Sequence, residues 1–113
     1  MSLNKTYHKI LFGNAQFLTK TEAESVDLVV TSPPYPMIEM WDETFSTLNP
    51  EIKVALNKND GAKCFELMHI ELDKVWQELY RVTKPGGFVC INIGDATRSF
   101  SVAFQMYSNH SRI

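Results

Sequence analysis

The chain has 113 residues, of which 44% are hydrophobic and 21% charged, and its formal net charge at pH 7 is −2. This length allows at most one small domain, and the composition is ordinary for a globular protein. A domain that held a nucleic acid by itself would usually carry a basic patch to neutralise phosphates. The slightly acidic balance therefore argues against a self-sufficient nucleic-acid-binding module.

The cysteines, the histidines and the hydropathy pattern narrow the class of protein further. Two cysteines are too few to staple a fold, and Cys90 lies inside an apolar run, where we expect a buried free thiol. His8, His69 and His110 are scattered without ligand spacing, so we expect no metal site. No run approaches the length of a membrane span, and the N-terminus lacks a signal-peptide core. Both observations predict a cytoplasmic protein without a membrane partner.

The first predicted elements are a short strand and a modest helix. His8–Phe12 can form a strand that ends at Gly13. Asn14 then stands where a helix N-cap would, ahead of a helix over Ala15–Glu24.

The most informative stretch is the apolar run Asp27–Thr31 with the four residues that follow it, Ser32-Pro33-Pro34-Tyr35. The run predicts a buried strand, and the two prolines end it because they fix φ and have no N–H. In an open parallel sheet, ligands bind at the carboxyl ends of the strands. Carbonyl and hydroxyl acceptors beside a flat tyrosine ring suit a planar ligand with an exocyclic amine, such as a base flipped out of a duplex.

The segment after this motif predicts helices. Pro36–Asp42 follows neither a helical nor a strand period, which indicates a loop or a short irregular helix over the site. Asn49 as N-cap and Pro50 at the first position predict a short helix that ends at Asn57. The clearest pattern predicts a helix over Lys63–Val82, with apolar residues at spacings of three and four: Phe65, Met68, Leu72, Val75 or Trp76, Leu79 and Val82.

The second half of the chain predicts a βαβ unit. The long helix stops before Lys84-Pro85-Gly86-Gly87, and Phe88–Ile93 follows as an apolar strand. A strand, a connecting helix and a second strand are typical of a parallel sheet. Gly94 would then leave the sheet at the same edge as the motif. We expect Asp95 and Arg98 to pair in a turn there, with contact to the ligand or a phosphate as the alternative.

These motifs together resemble the DNA amino-methyltransferases, which methylate exocyclic nitrogens of bases with S-adenosylmethionine. The catalytic motif of that family is (Asp/Asn/Ser)-Pro-Pro-(Tyr/Phe), which stands here as Ser32–Tyr35. Gly13–Ala15, Ser25–Val30, Lys84–Gly87 and Asn92–Asp95 match its surroundings, so the resemblance covers nearly the whole chain. It implies an α/β fold, namely part of a Rossmann-like parallel sheet with flanking helices.

The resemblance also implies roles for individual residues. Ser32 and the Pro33 carbonyl would accept hydrogen bonds from the target amine, Pro34 would stiffen the loop, and Tyr35 would stack on the flipped base. Serine at the first position favours N4 of cytosine over N6 of adenine. Asn14 would touch the adenine of the cofactor, although a plain capping role explains it equally well.

One family motif is missing from the sequence. The cofactor loop Phe-x-Gly-x-Gly is absent, and Gly86-Gly87 is the only close pair among five glycines. Residues 1–113 are therefore expected to be a truncated catalytic part that is inactive in isolation and binds S-adenosylmethionine weakly or not at all. Its expected partners are DNA, a second chain that supplies the loop, and further copies of itself, because the sheet edges would be open.

Two alternatives to this reading stay open. The chain could be a non-catalytic remnant or an interaction module that keeps the methyltransferase scaffold. It could also belong to a small-molecule or RNA methyltransferase, since Lys84–Gly87 is common to many of them.

Overall fold

The computed structural model describes residues 4–100 and 103–113 and has a mixed α/β architecture. In chain order the elements are β1 (Val26–Thr31), a short 3-10 helix (Glu39–Trp41), α1 (Asp42–Leu48), α2 (Pro50–Asn57), α3 (Gly61–Val82), β2 (Thr83–Ile91), β3 (Ala96–Phe100), β4 (Ala103–Tyr107) and α4 (Asn109–Arg112). Within the described ranges, no helix combines the length and the apolar character needed to cross a membrane.

The first sheet is a parallel pair of β1 and β2. Leu28 pairs with Phe88 and Thr31 with Ile91, and the Asn92 N–H donates to the Thr31 carbonyl over 2.9 Å just beyond the last pair. Parallel strands require a crossover connection, and the helices between the two strands provide it. The two predicted strands and their parallel arrangement are therefore confirmed, with β2 ending at Ile91.

The segment Lys84–Gly87 is a bulge inside β2 and not a break before it. Val26 pairs with Thr83 while the next paired residue of β1, Leu28, pairs beyond the bulge. Gly86 has a φ of 80°, which glycine adopts at little cost. The helix thus ends at Val82 as predicted, but the strand begins at the next residue.

Two of the predicted helices are confirmed, one of them with its predicted cap. The Asn49 side chain accepts a hydrogen bond from the Glu51 N–H over 3.0 Å, and Pro50 occupies the first turn of α2. The long helix α3 begins two residues earlier than predicted, because the Asp60 side chain accepts from the Lys63 N–H over 3.1 Å. Such caps satisfy backbone donors that a helix leaves free at its start.

The buried core lies between helices α1–α3, the segment after β1 and the β3–β4 hairpin. Ala96 of β3 pairs with Tyr107 of β4, a hairpin that the sequence patterns did not predict. Trp76 packs against the core as predicted. Among the described residues, the core members are Met37, Phe45, Ile52, Ala55, Cys64, Met68, Leu72, Ala96 and Tyr107.

The predicted strand over His8–Phe12 is wrong. These residues have no regular secondary structure, and Ile10 and Phe12 are 79% and 95% exposed. A strand is stable only when a neighbour satisfies its backbone groups, and neither sheet of the described residues includes this segment. The local apolar pattern is therefore not sufficient to form the strand.

The predicted helix over Ala15–Glu24 is also wrong, because α3 binds its backbone. The Leu18 N–H donates to the Glu78 carboxylate over 2.7 Å, and Arg81 donates to the carbonyls of Leu18 and Thr21 over 2.9 and 3.1 Å. These partners replace the hydrogen bonds that a helix would make within itself. The segment forms isolated turns instead.

One face of the parallel sheet is uncovered, so the prediction of buried strands is wrong for this face. Leu28, Val30 and Phe88 are 56%, 74% and 71% exposed, and the Cys90 thiol beside them is exposed and not buried. Because side chains alternate along a strand, these four residues share one face. We call Leu28, Val30, Phe88 and Cys90 the open sheet face.

We predict that the chain self-associates through the open sheet face, because contiguous apolar surface tends to be buried against another molecule. Val30→Lys should raise the dissociation constant about tenfold or more, equivalent to about 1.4 kcal/mol, since its ammonium would lose water in the contact. Sedimentation at micromolar concentrations measures this constant. Val54→Lys changes a half-exposed residue of α2 and is the matched control. A wild-type monomer at all concentrations would contradict the prediction.

Candidate active site

The Ser32–Tyr35 motif leaves the carboxyl end of β1 without regular secondary structure. Ser32 is exposed, Pro33 is buried, and Pro34 and Tyr35 are partly buried. The backbone contact between Asn92 and Thr31 shows that β2 ends at the same edge of the sheet. The structure therefore brings the motif and the segment after β2 together, as the parallel arrangement predicts.

The chain beyond the motif is tied to the core. The Ile38 N–H donates to the Tyr35 carbonyl over 3.3 Å and closes a turn. Inside this turn, Met37 has a φ of 68° and is 1% exposed, and its N–H donates to the Met68 sulfur over 3.4 Å. A non-glycine residue keeps a positive φ only where its surroundings hold it there. The support of the motif is thus fixed by packing against α3.

The Tyr35 ring lies against the backbone of Gly94. A Cβ atom placed on Gly94 would be 3.3 Å from Tyr35 Cε2 and 3.7 Å from its Cδ2. Absence of a side chain at this position lets the ring approach the backbone closely. The Cδ2–Cε2 side of the Tyr35 ring therefore lies close to Gly94, which follows β2.

A buried amide joins the two segments. Asn109 is fully buried, and its Nδ2 donates to the Pro36 carbonyl over 2.8 Å and to the Gly94 carbonyl over 2.9 Å. Its Oδ1 lies 2.9 Å from His69 Nε2. Because carbonyl oxygens only accept, the amide nitrogen must face them, and Oδ1 must face the histidine. His69 therefore donates from Nε2.

His69 is fully buried on α3, an environment that disfavours the charged form of its ring. Burial lowers the pKa of His69 below its ordinary value of 6.5, and the hydrogen bond with Asn109 only partly opposes this effect. The Phe65 ring packs edge-on with its centroid 4.6 Å away. Sequence reasoning missed His69, although its position four residues after Phe65 and three before Leu72 puts it on the apolar side of the helix.

We predict that protonation of His69 destabilises the fold. A histidine whose folded pKa lies below its unfolded value contributes stability above the unfolded pKa, and loses it as the pH falls toward the folded pKa. The free energy of unfolding should therefore decrease as the pH falls below 6.5. Urea unfolding at pH 7.5 and 5.5 measures the change.

His69→Gln is the control for this prediction, because its side-chain amide can still donate to Asn109 but does not titrate. The variant should lose less stability than the wild type over the same pH interval. His8 and His110 are exposed and present in both proteins. Equal losses in the two proteins would contradict a role for His69.

The predicted Asp95–Arg98 pair is wrong. Arg98 donates two hydrogen bonds to the Asp42 carboxylate, each 2.7 Å long, and this carboxylate raises the pKa of the guanidinium. Asp95 instead accepts from the His110 N–H over 3.0 Å. The reason is geometric, because β3 carries Arg98 away from Asp95 and toward α1. Arg98 also lines a polar pocket together with Met37, Glu39, Thr97 and Ser99.

Comparison with known proteins identifies the family. A family model described as DNA methylase and labelled N6_N4_Mtase matches residues 26–111, a range that contains the motif and Asn109. The chain belongs to this DNA methylase family. The label covers both N6 and N4 methylation, so it does not distinguish the two target amines.

Two curated relatives support the DNA methylase assignment. The type II methyltransferase M.MthZI of Methanothermobacter thermautotrophicus is 54% identical over 109 residues, which are 96% of this chain and 31% of that protein. The type II methyltransferase M.MjaI of Methanocaldococcus jannaschii is 52% identical over 119 residues, 96% of this chain and 39% of that protein. The chain thus spans about a third of the length of these relatives. No solved structure matches it significantly.

Asn14 lies outside the residues that the DNA methylase model matches. It is exposed, and its side-chain oxygen accepts from the Gln16 N–H over 2.9 Å. Gln16 in turn donates to the Glu71 carbonyl of α3 over 2.9 Å. In the part of the chain that the structure describes, these contacts tie Asn14 to α3 and do not bring it to the motif. The capping alternative is wrong, because no helix follows Asn14 over residues 15–24.

Across residues 4–100 and 103–113, no three His, Cys, Asp or Glu side chains form a group that could hold a metal ion. The buried thiol of Cys64 has its pKa raised to about 11 by desolvation, so it stays protonated near neutral pH.

Proposed function

We propose that this chain carries the base-binding loop of a DNA methyltransferase that acts on an exocyclic amine, with N4 of cytosine favoured over N6 of adenine. The observation that supports this most directly is the edge geometry: exposed Ser32 stands beside Tyr35, whose ring is held against Gly94. Membership of the DNA methylase family supports the class of reaction, and the sheet edge supports this position for the base. In the intact enzyme, β1 and β2 would belong to a Rossmann-like sheet.

The motif suits an amine nitrogen because its two prolines offer carbonyl acceptors and no backbone donor. Pro33 and Pro34 have no N–H, so the local backbone presents carbonyl oxygens, and the Ser32 hydroxyl adds a further acceptor. Accepting the two amine hydrogens would orient the nitrogen lone pair away from the loop and toward a methyl donor. Tyr35 would hold the extruded base by stacking.

We infer that the residues of this chain do not complete the cofactor site that the family implies. The sequence has no Phe-x-Gly-x-Gly, and Asn14 makes its described contacts within its own turn and toward α3. S-adenosylmethionine would supply the methyl group once the remaining part of the enzyme is present. This chain's own contribution is the binding and orientation of the target base on DNA.

A chimera tests the proposed function. In it, this chain replaces the matching segment of the type II methyltransferase M.MthZI, to which it is 54% identical. We expect methyl transfer from labelled S-adenosylmethionine to unmethylated genomic DNA, with 4-methylcytosine as the product after digestion to nucleosides. A 6-methyladenine product would reverse the choice of base. A folded but inactive chimera would favour the non-catalytic alternative.

In the active chimera, we predict that Ser32→Ala lowers turnover. The activation free energy should rise by about 2–4 kcal/mol, because an oriented hydrogen bond is lost at the reacting amine. DNA binding should change less. Ser25→Ala is the matched control, since Ser25 is an exposed serine just before the opposite end of β1.

Tyr35→Ala should remove about 1–3 kcal/mol of stacking free energy with the target base. The measurements are single-turnover rates and DNA dissociation constants. Unchanged rates in both Ser32→Ala and Tyr35→Ala would place the active site elsewhere.

We also predict that the isolated 113-residue chain does not bind S-adenosylmethionine at micromolar concentrations, because it lacks the glycine loop. Calorimetric titration measures this directly, and the chimera is the positive control. A saturable micromolar isotherm for the isolated chain would show that its residues form a cofactor site of their own.

A further inference from the structure

We propose that Asn109 is a positioning residue for Tyr35, and this inference rests on the proposed function for its catalytic consequence. Its side-chain amide bridges the residue that follows Tyr35 and the residue against which the Tyr35 ring packs. Loss of the bridge would release the ring from its place at the sheet edge.

The bridge uses both hydrogens of the amide. One is donated to the Pro36 carbonyl at 2.8 Å and the other to the Gly94 carbonyl at 2.9 Å. Pro36 is attached to Tyr35 in the chain, and the Tyr35 ring lies on Gly94. The same amide therefore sets the distance between the backbone that carries the ring and the surface that the ring touches.

The two carbonyls fix the orientation of the amide, and α3 supplies the partner of its oxygen. Because carbonyl oxygens only accept, Nδ2 faces Pro36 and Gly94, and Oδ1 accepts from the His69 Nε2–H over 2.9 Å. Both side chains are fully buried, so water cannot replace a lost partner without a rearrangement. His69 thus satisfies the amide oxygen while both donors stay on the carbonyls.

The short helix α4 that carries Asn109 is held at both ends. At its start, the His110 N–H donates to the Asp95 carboxylate over 3.0 Å. At its end, Arg112 pairs with Glu66 over 2.7 Å and with Asp73 over 3.2 Å, both on α3. Asn109 consequently has little freedom to follow the motif loop, and the loop is positioned by it.

Removing the amide has a defined structural consequence. In Asn109→Ala, the Pro36 and Gly94 carbonyls would lose their shared donor in a buried setting, which is costly. The loop would move to reach other donors, and the Tyr35 ring would separate from Gly94. The effect falls on the ring that is proposed to stack on the target base.

The first experiment measures the ring position by NMR in the full chain. The Tyr35 ring shifts the Gly94 α-protons, and Tyr35→Leu gives their shift without the ring. We expect Asn109→Ala to change the chemical shifts of these protons by at least half of the change that Tyr35→Leu causes. Ser111→Ala is the matched control on α4, because it removes only an exposed hydrogen bond with Ser108. Unchanged Gly94 shifts in a folded Asn109→Ala chain would overturn the proposal.

Two further measurements apply if Asn109→Ala does not fold. Asn109→Ser keeps one donor and should change the chemical shifts of the Gly94 α-protons by less than Tyr35→Leu does. In the unmutated chain, both side-chain amide protons of Asn109 should exchange with solvent far more slowly than those of exposed Asn14. Equal exchange rates for the two amides would also overturn the proposal.

The catalytic consequence is measured in the chimera. Asn109→Ala should lower kcat roughly tenfold to hundredfold with a smaller change in KM, because a misplaced base reacts slowly even when DNA is bound. In a Tyr35→Ala background, the same substitution should add little, as expected for residues that act together. Additive effects would show that Asn109 acts independently of Tyr35 and would overturn the proposal. An unmutated chimera without activity would refute the proposed function, while the NMR result would still decide the positioning role.

Discussion

The parallel pairing of β1 with β2 is the constraint on which the rest of the structure depends. Parallel strands cannot be joined by a tight turn, so the chain must cross over between them, and α3 is the main part of that crossover. The pairing brings Thr31 and Ile91 to the same edge. The motif after the first strand and Gly94 after the second therefore emerge side by side, which is the condition for any site at this edge.

The fold separates its core from its sheet. The buried residues join the helices, the segment after the motif and the hairpin, whereas Leu28, Val30 and Phe88 of the open sheet face are solvent-exposed. The helical core thus supports one end of the motif loop through Met37 and Met68. The contact between Met37 and Met68 therefore joins the buried core to the proposed base-binding edge. Because the open sheet face is apolar and uncovered, it is also suited to contact with another protein molecule.

Two physical requirements meet at the proposed site. The acceptor-rich motif must remain open to a base, and exposed Ser32 meets this requirement. The ring that would stack on the base must be held still, and the contacts of Gly94 and the Asn109 amide meet this second requirement. A buried hydrogen-bond network is well suited to this task because each lost bond would leave a polar group without a partner. All of these groups lie within residues 26–111, the range that the DNA methylase model matches.

Local patterns determined the elements whose stabilising groups are close in sequence. The apolar run before the prolines predicted β1, the Asn49-Pro50 cap predicted α2, and the periodic stripe predicted α3 and its end. The motif itself, and the family it resembles, were likewise readable from neighbouring residues. Tertiary structure decided whatever depends on partners distant in the chain. Arg81 and Glu78 bind the backbone of residues 18–21 and prevent the predicted helix, and Asp42 in place of Asp95 pairs with Arg98. Asn109 reaches the motif across 73 residues, a contact that no short-range pattern encodes because it exists only once the strands and α3 have brought the two segments together.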